Sequence, residues 1–146
     1  SARGVSDGVY SYLIERWSTG MDFAMIEVSV PEYSEVVKLY GDRSGDRLLQ
    51  KIGAILRNCG GTGCVIGRVQ ASLFFMLMKF NNKEDVRNMA RRIRAGVESV
   101  RKAGQWSGNC SAVINASYTD DSSRDRNSYT NGLMGIILNS RDREEL

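Results

Sequence analysis

A chain of 146 residues, 42% of them apolar, fits one ordinary domain with a core of its own. Its 20 basic and 17 acidic residues leave a net charge of +3, a mild attraction for phosphate-bearing partners but no nucleic-acid footprint. There is no histidine, which excludes imidazole general bases, Ser-His and Cys-His nucleophilic pairs and most zinc sites.

The apolar pattern predicts the elements in order. Val9, Tyr10, Leu13, Ile14 and Trp17 recur at helical spacing after a Ser6 or Asp7 cap, and Ser18-Thr19-Gly20 ends that helix. Phe23 to Val30 reads as a strand, rich in apolar and β-branched residues. Pro31, the one proline, closes it and can open the next helix, Glu32 to Leu39, which stops near Gly41. Ser44 or Asp46 starts a second helix whose apolar face is Leu48, Leu49, Ile52, Ile55, Leu56 and Cys59, broken by Gly60-Gly61-Thr62-Gly63.

Cys64 to Arg68 and Leu73 to Phe80 are two further strands joined by a tight connection around Val69 to Ser72. The second is apolar on both faces, as a central, covered strand is. Asn81 and Asn82 precede a long helix with Val86, Met89, Ala90, Ile93, Val97 and Val100 on one face, ended by Gly104. Its arginines, Arg87, Arg91, Arg92, Arg94 and Arg101, read as a solvated face. Ser111 to Tyr118 is a fourth strand, Thr119 to Asn127 a polar loop, and Tyr129 to Asn139 a last helix. The order α-β-α-α-β-β-α-β-α, with one hairpin interrupting the alternation, predicts an α+β sandwich: a mixed, mostly antiparallel sheet flanked by helices. A fifth strand is expected between Thr119 and Tyr129.

Cys59, Cys64 and Cys110 lack paired metal spacing and read as buried thiols of a reducing compartment. No stretch approaches the ~20 apolar residues of a membrane span, and no secretory leader is visible. These features describe a cytoplasmic domain, residues 1–146, excised from a larger multidomain protein, the cytosolic part of a membrane-anchored one being the alternative, and making no direct membrane contact.

Between the middle helices stands Tyr40-Gly41-Asp42-Arg43-Ser44-Gly45-Asp46, and the tight connection reads Arg68-Val69-Gln70-Ala71-Ser72-Leu73-Phe74. In this order and register the chain resembles the GGDEF domain of diguanylate cyclases, with its Gly-x-x-x-Gly-Asp spacing and its Arg-x-Gly-Gly-Asp/Glu-Glu-Phe hairpin. No gap is needed from Ser29 to Phe74. Val113-Ile114-Asn115-Ala116 and Ser140-Arg141-Asp142 loosely match the family's Ser-Ile-Gly-Val strand and closing Gly-Arg-Asn. The resemblance implies a five-stranded nucleotidyl cyclase fold.

In the family, two GTP molecules are joined into cyclic di-GMP, and two carboxylates hold the divalent metal over the triphosphate. By the resemblance those positions are Ser29 and Ser72, and the hairpin's second acidic position is Leu73; hydroxyls are poor Mg²⁺ ligands, so Mg²⁺ is not expected to bind. The guanine-reading Asn falls at Val37, while the guanine-reading Asp matches Asp46. Gln70 and Ala71 replace the hairpin glycines. The phosphate-binding Lys falls at Ile137 and its Arg partner at Arg141. The inhibitory Arg-x-x-Asp falls at Gly61 to Cys64 and is absent. Glu27, two residues before Ser29 and on the same strand face, is the nearest carboxylate for a shifted metal site. Asp46 and Arg141 therefore remain as the vestigial nucleotide contacts, each with a plain alternative: a helix carboxylate and a solvated tail residue. Gly41 and Gly45 read equally as turn glycines, and Arg68 as half of a strand-end ion pair.

These losses predict a catalytically inactive GGDEF-like domain, a regulatory, dimerisation or protein-interaction module in cyclic di-GMP-type signalling. Its expected partners are other domains of the same protein or a partner protein, a homodimer and GTP being open, with no nucleic acid. The alternative is an effector-binding domain that retains GTP or another nucleotide; an active cyclase with altered metal ligands ranks below both.

Overall fold

The computed structural model describes residues 2–70, 72–103, 110–119 and 142–146. Helix α1 (Ala2–Thr19) leads into strand β1 (Phe23–Ser29), followed by helices α2 (Tyr33–Tyr40) and α3 (Asp42–Gly60). A single 3-10 turn, Gly61–Gly63, feeds the hairpin β2 (Val65–Gln70) and β3 (Leu73–Lys79). Helix α4 (Lys83–Ala103), β4 (Val113–Tyr118) and β5 (Arg143–Glu145) complete the described chain. The sheet order is β2-β3-β1-β4-β5. Every pairing among the described strands is antiparallel, so the sheet is not mixed there.

Period-2 alternation along β1 divides the core into two layers. Ala24, Ile26 and Val28 pack with Leu48, Ile52 and Leu56 of α3 and with Val86, Ile93 and Val97 of α4. Phe23 and Met25 face the other way, onto Tyr12 and Leu13 of α1 with Phe75 and Leu77 of β3. Helices thus cover both faces, as the two-sided apolar pattern of β3 requires. Tyr12 is pinned as well as packed: its hydroxyl lies 2.6 Å from the Gly63 carbonyl oxygen, and burial, then the charges of Cys64 and Glu15, push its pKa up to about 12. Cys59 and Cys64 are half-buried free thiols, and Cys110 is buried.

Three expectations need correction. The first helix begins at Ala2, before the proposed caps, and α3 begins at Asp42. Asp46 accordingly lies one turn inside α3, where the dipole that favours a carboxylate at the start has largely decayed. The fifth strand is Arg143–Glu145, read from the sequence as solvated tail; residues 120–129, where it was expected, and the helix over 129–139 lie outside the described residues.

Three charged residues form a strand because each face gives them partners. On one face Arg143 Nη2 reaches Glu27 Oε1 at 3.8 Å. On the other, Arg87 donates through Nε and Nη2 to the two oxygens of Glu144, each at 3.1 Å, and the Tyr118 hydroxyl donates to the same carboxylate. Lys83 closes the set, 2.7 Å from Asp142 and 4.6 Å above the Tyr118 ring. Arg94 hydrogen-bonds the carbonyls of Ala112, at 2.6 Å, and Leu146.

Desolvation alone would raise the Glu144 pKa, but the hydrogen bonds from Tyr118 and Arg87 and the nearby positive charges outweigh it and hold the carboxyl below its usual 4.5. Its stabilising effect is therefore complete above that value and disappears as pH falls through the lower folded one. Glu144→Gln is expected to flatten this acidic limb. The check is the urea midpoint of both proteins from neutral pH down to about pH 3; parallel profiles would contradict the assignment.

Candidate functional site

The hairpin and the sheet end beside it form the candidate site. Ser29, the last residue of β1, stands directly between Leu73 of β3 and Val113 of β4. Ser72 precedes Leu73 in the hairpin turn, so the fold gathers Ser29, Ser72 and Leu73 at one end of the sheet. The register slips between Arg68 and Gln70, a bulge in the edge strand next to the turn. Val69 and Val113 are exposed, so the described strand-end positions here carry hydroxyls and alkyl groups.

Glu27 does sit on the Ser29 face of β1, between Phe75 and Asn115. Its carboxylate is only 21% exposed and faces Arg143, which makes it the anchor of β5. Among the described residues no group of three or more His, Cys, Asp or Glu side chains is gathered. The donor set at Ser29, Ser72 and Leu73 does not fit a hard divalent cation, which takes several oxygens and at least one carboxylate.

Val37 and Asp46, the positions that the resemblance assigns to base reading, lie on α2 and α3, which cross at Gly45. A Cβ on Gly45 would lie 2.5 Å from Val37 Cγ2 and 3.2 Å from Tyr33 Cε2, so Gly45 is what lets the two helices touch. Asp46, next in sequence, is exposed and has no hydrogen bond or ion pair among the described residues. Gly41 joins the helices at φ 90° and ψ 174°, a conformation open in practice only to glycine. Both motif glycines thus have structural reasons. Arg68 forms no ion pair among the described residues, contrary to the bland expectation for it.

Arg141 and Ile137, the positions that the resemblance assigns to phosphate contact, lie outside the described residues, as does Ala71 of the hairpin. Gly61–Gly63 form the 3-10 turn, and Cys64 follows it with a thiol pKa raised by burial against the lowering charge of Arg92. One contact at this end of the sheet was missed from sequence. Ser111, just before β4, donates from its backbone N (3.1 Å) and Oγ (2.7 Å) to the Glu32 carboxylate, tying the loop after β1 to the start of β4. A Glu and a Ser 79 residues apart give no local signal of such a pair.

No curated protein matches the sequence. Among solved structures, the active GGEEF domain of a diguanylate cyclase from Vibrio cholerae superposes with a TM-score of 0.76 at 14% identity, over 94% of this chain and 83% of that one. The GGDEF domain of DgcB from Caulobacter crescentus, in complex with c-di-GMP, gives 0.72 at 13% identity, over 82% and 72%. Diguanylate cyclase SiaD from Pseudomonas aeruginosa, in complex with its activator SiaC, gives 0.72 at 16% identity over 93% of this chain. The chain spans only 52% of the SiaD chain. These likenesses establish the fold. The family model "Diguanylate cyclase, GGDEF domain" matches residues 10–131, most of the sequence, and the chain therefore belongs to the GGDEF family.

Proposed function

We propose that this chain is a non-catalytic GGDEF domain that regulates or binds another protein or domain in cyclic di-GMP signalling. The observation that carries this reading is the sheet end itself, where Leu73 and Val113 flank Ser29 and the nearby described carboxylates are already engaged, Glu27 by Arg143 and Glu32 by Ser111. Without two acidic oxygens no divalent ion can be held over a triphosphate, and the attack of a 3′-hydroxyl on an α-phosphate loses its charge neutralisation. Mg²⁺ is accordingly no cofactor of this domain. SiaD, similar in fold, is seen with a protein activator, which supports a protein partner here. The reading takes the chain as a cytoplasmic domain of a longer, multidomain protein.

The test is incubation of the purified protein with GTP and either Mg²⁺ or Mn²⁺. Product is expected at the blank level, and time-dependent cyclic di-GMP formation would overturn the reading.

A second reading draws on the exposed carboxylate of Asp46, without a partner among the described residues: a vestigial base contact, with Arg141, in a domain that binds GTP as an effector without turning it over. Calorimetric titration with GTP is then expected to show saturable heat that Asp46→Ala weakens about tenfold, the worth of one charge-assisted hydrogen bond. A flat titration with GTP removes it.

A further inference from the structure

Strand β5 is attached to the fold in a different way from the strands at its centre. β1 is held by the buried side chains of Phe23, Ala24, Met25, Ile26 and Val28, and it pairs with a strand on each side. β5 pairs with β4 alone among the described strands, and none of its three side chains is buried. Two backbone bonds extend that short ladder: Tyr118 N donates to Asp142 O and Leu146 N to Ile114 O, each at 2.8 Å.

The side-chain fastenings are charged. Asp142 meets Lys83 at 2.7 Å, Glu144 accepts from Arg87 at 3.1 Å, and Arg143 lies 3.8 Å from Glu27. Arg87 is shared, since Glu84 stands 3.7 Å from another of its nitrogens. Asp142, Arg143 and Glu144 are 38%, 44% and 28% exposed in their side chains, so water and dissolved ions reach each pair. Such pairs are individually weak, and they fade as the screening length shrinks to about 3 Å near 1 M salt. Apolar burial, which holds β1, is not subject to charge screening. A segment fastened in this way opens at a lower free energy than the fold that carries it.

We infer that residues 142–146 form a releasable strap, which leaves the sheet as a unit when its ion pairs are screened while the rest of the domain stays folded. Release leaves β4, six residues long, as the sheet edge among the described strands. An open edge of that length is what an incoming strand pairs with, so the strap controls access to it.

The test is amide hydrogen exchange followed by NMR on the intact chain, in about 50 mM and about 1 M sodium chloride. Tyr118 and Leu146, whose amides bond across the strap, are the reporters, and Ile26 and Val28 of β1 are the reference. At low salt the reporters are expected to exchange about tenfold or more faster than the reference. At high salt they should gain about another tenfold, the combined worth of three screened pairs. Arg87→Gln should raise the reporter rates about fivefold at low salt, blunt the salt effect and leave the reference unchanged. Arg47→Gln, on the solvent side of α3, should alter neither set, and circular dichroism melts confirm that both variants are folded. If reporters and reference exchange together at both salts, β5 opens only with the whole fold and the inference fails. Reporter rates indifferent to salt and to Arg87→Gln would mean fraying that the ion pairs do not govern. Equal acceleration by Arg47→Gln would make the effect one of net charge, and either result also overturns the strap.

Discussion

Leu56→Ala is expected to lower the unfolding free energy by about 3–4 kcal/mol, among the largest losses any single side chain of this protein can produce. Leu56 has no exposed surface and lies in the larger core layer with Ile52, Phe74, Met76 and Ile93. Truncation removes three carbons whose transfer from water favours folding, and it also leaves a cavity between α3 and β3 that a close-packed interior refills only partly. In a domain of this size the loss corresponds to a fall in melting temperature of roughly 10 °C. It should appear as a lower urea midpoint at unchanged slope. Arg47→Ala on the solvent side of the same helix should stay within about 0.5 kcal/mol. A small effect for Leu56→Ala would mean that α3 is not held on the sheet as described.

Gly41→Ala should cost about 2 kcal/mol for a different reason. Nothing lies within 4 Å of the position its methyl would occupy, so no contact is broken and no clash is made. The whole cost lies in the backbone: with φ at 90° and ψ at 174° the residue occupies a region that side chains exclude. The turn cannot relax cheaply, because Gly41 N donates to Val37 O at 2.8 Å and Gly41 O accepts from Gly45 N at 3.2 Å. Asp46→Ala, five residues on and exposed, should change stability by no more than about 0.5 kcal/mol. The contrast separates two meanings of one retained motif. Its glycines answer to the geometry of the α2–α3 junction, and only its aspartate is free to answer to a ligand.

The sequence was legible wherever a long apolar period existed. The faces of α3 and α4 and the two-sided pattern of β3 follow from Leu48, Ile52, Leu56, Val86, Ile93 and Met76, all buried. The sheet end was approached by a different route: matching the hairpin frame assigned Ser29, Ser72 and Leu73 to one site, and the register pairs Ser29 with Leu73. β5 was not legible. Arg143-Glu144-Glu145 has no apolar alternation, and what makes it a strand is a set of partners at residues 27, 87 and 118 that no local window contains.

The charged makeup of β5 also bears on how the protein behaves at high concentration. A strand at the rim of a sheet offers unpaired amide and carbonyl groups on which a further chain can extend the sheet, the first step of aggregation. Among the described strands that rim is three residues long, and Arg143 and Glu145 project from it in exposed positions. A sixth strand laid against it would gain few hydrogen bonds and would have to strip water from both charges. The ion pairs that fasten the strand inward thus also keep its outer side from recruiting a neighbour, and solubility is gained from residues whose first task is to close the sheet.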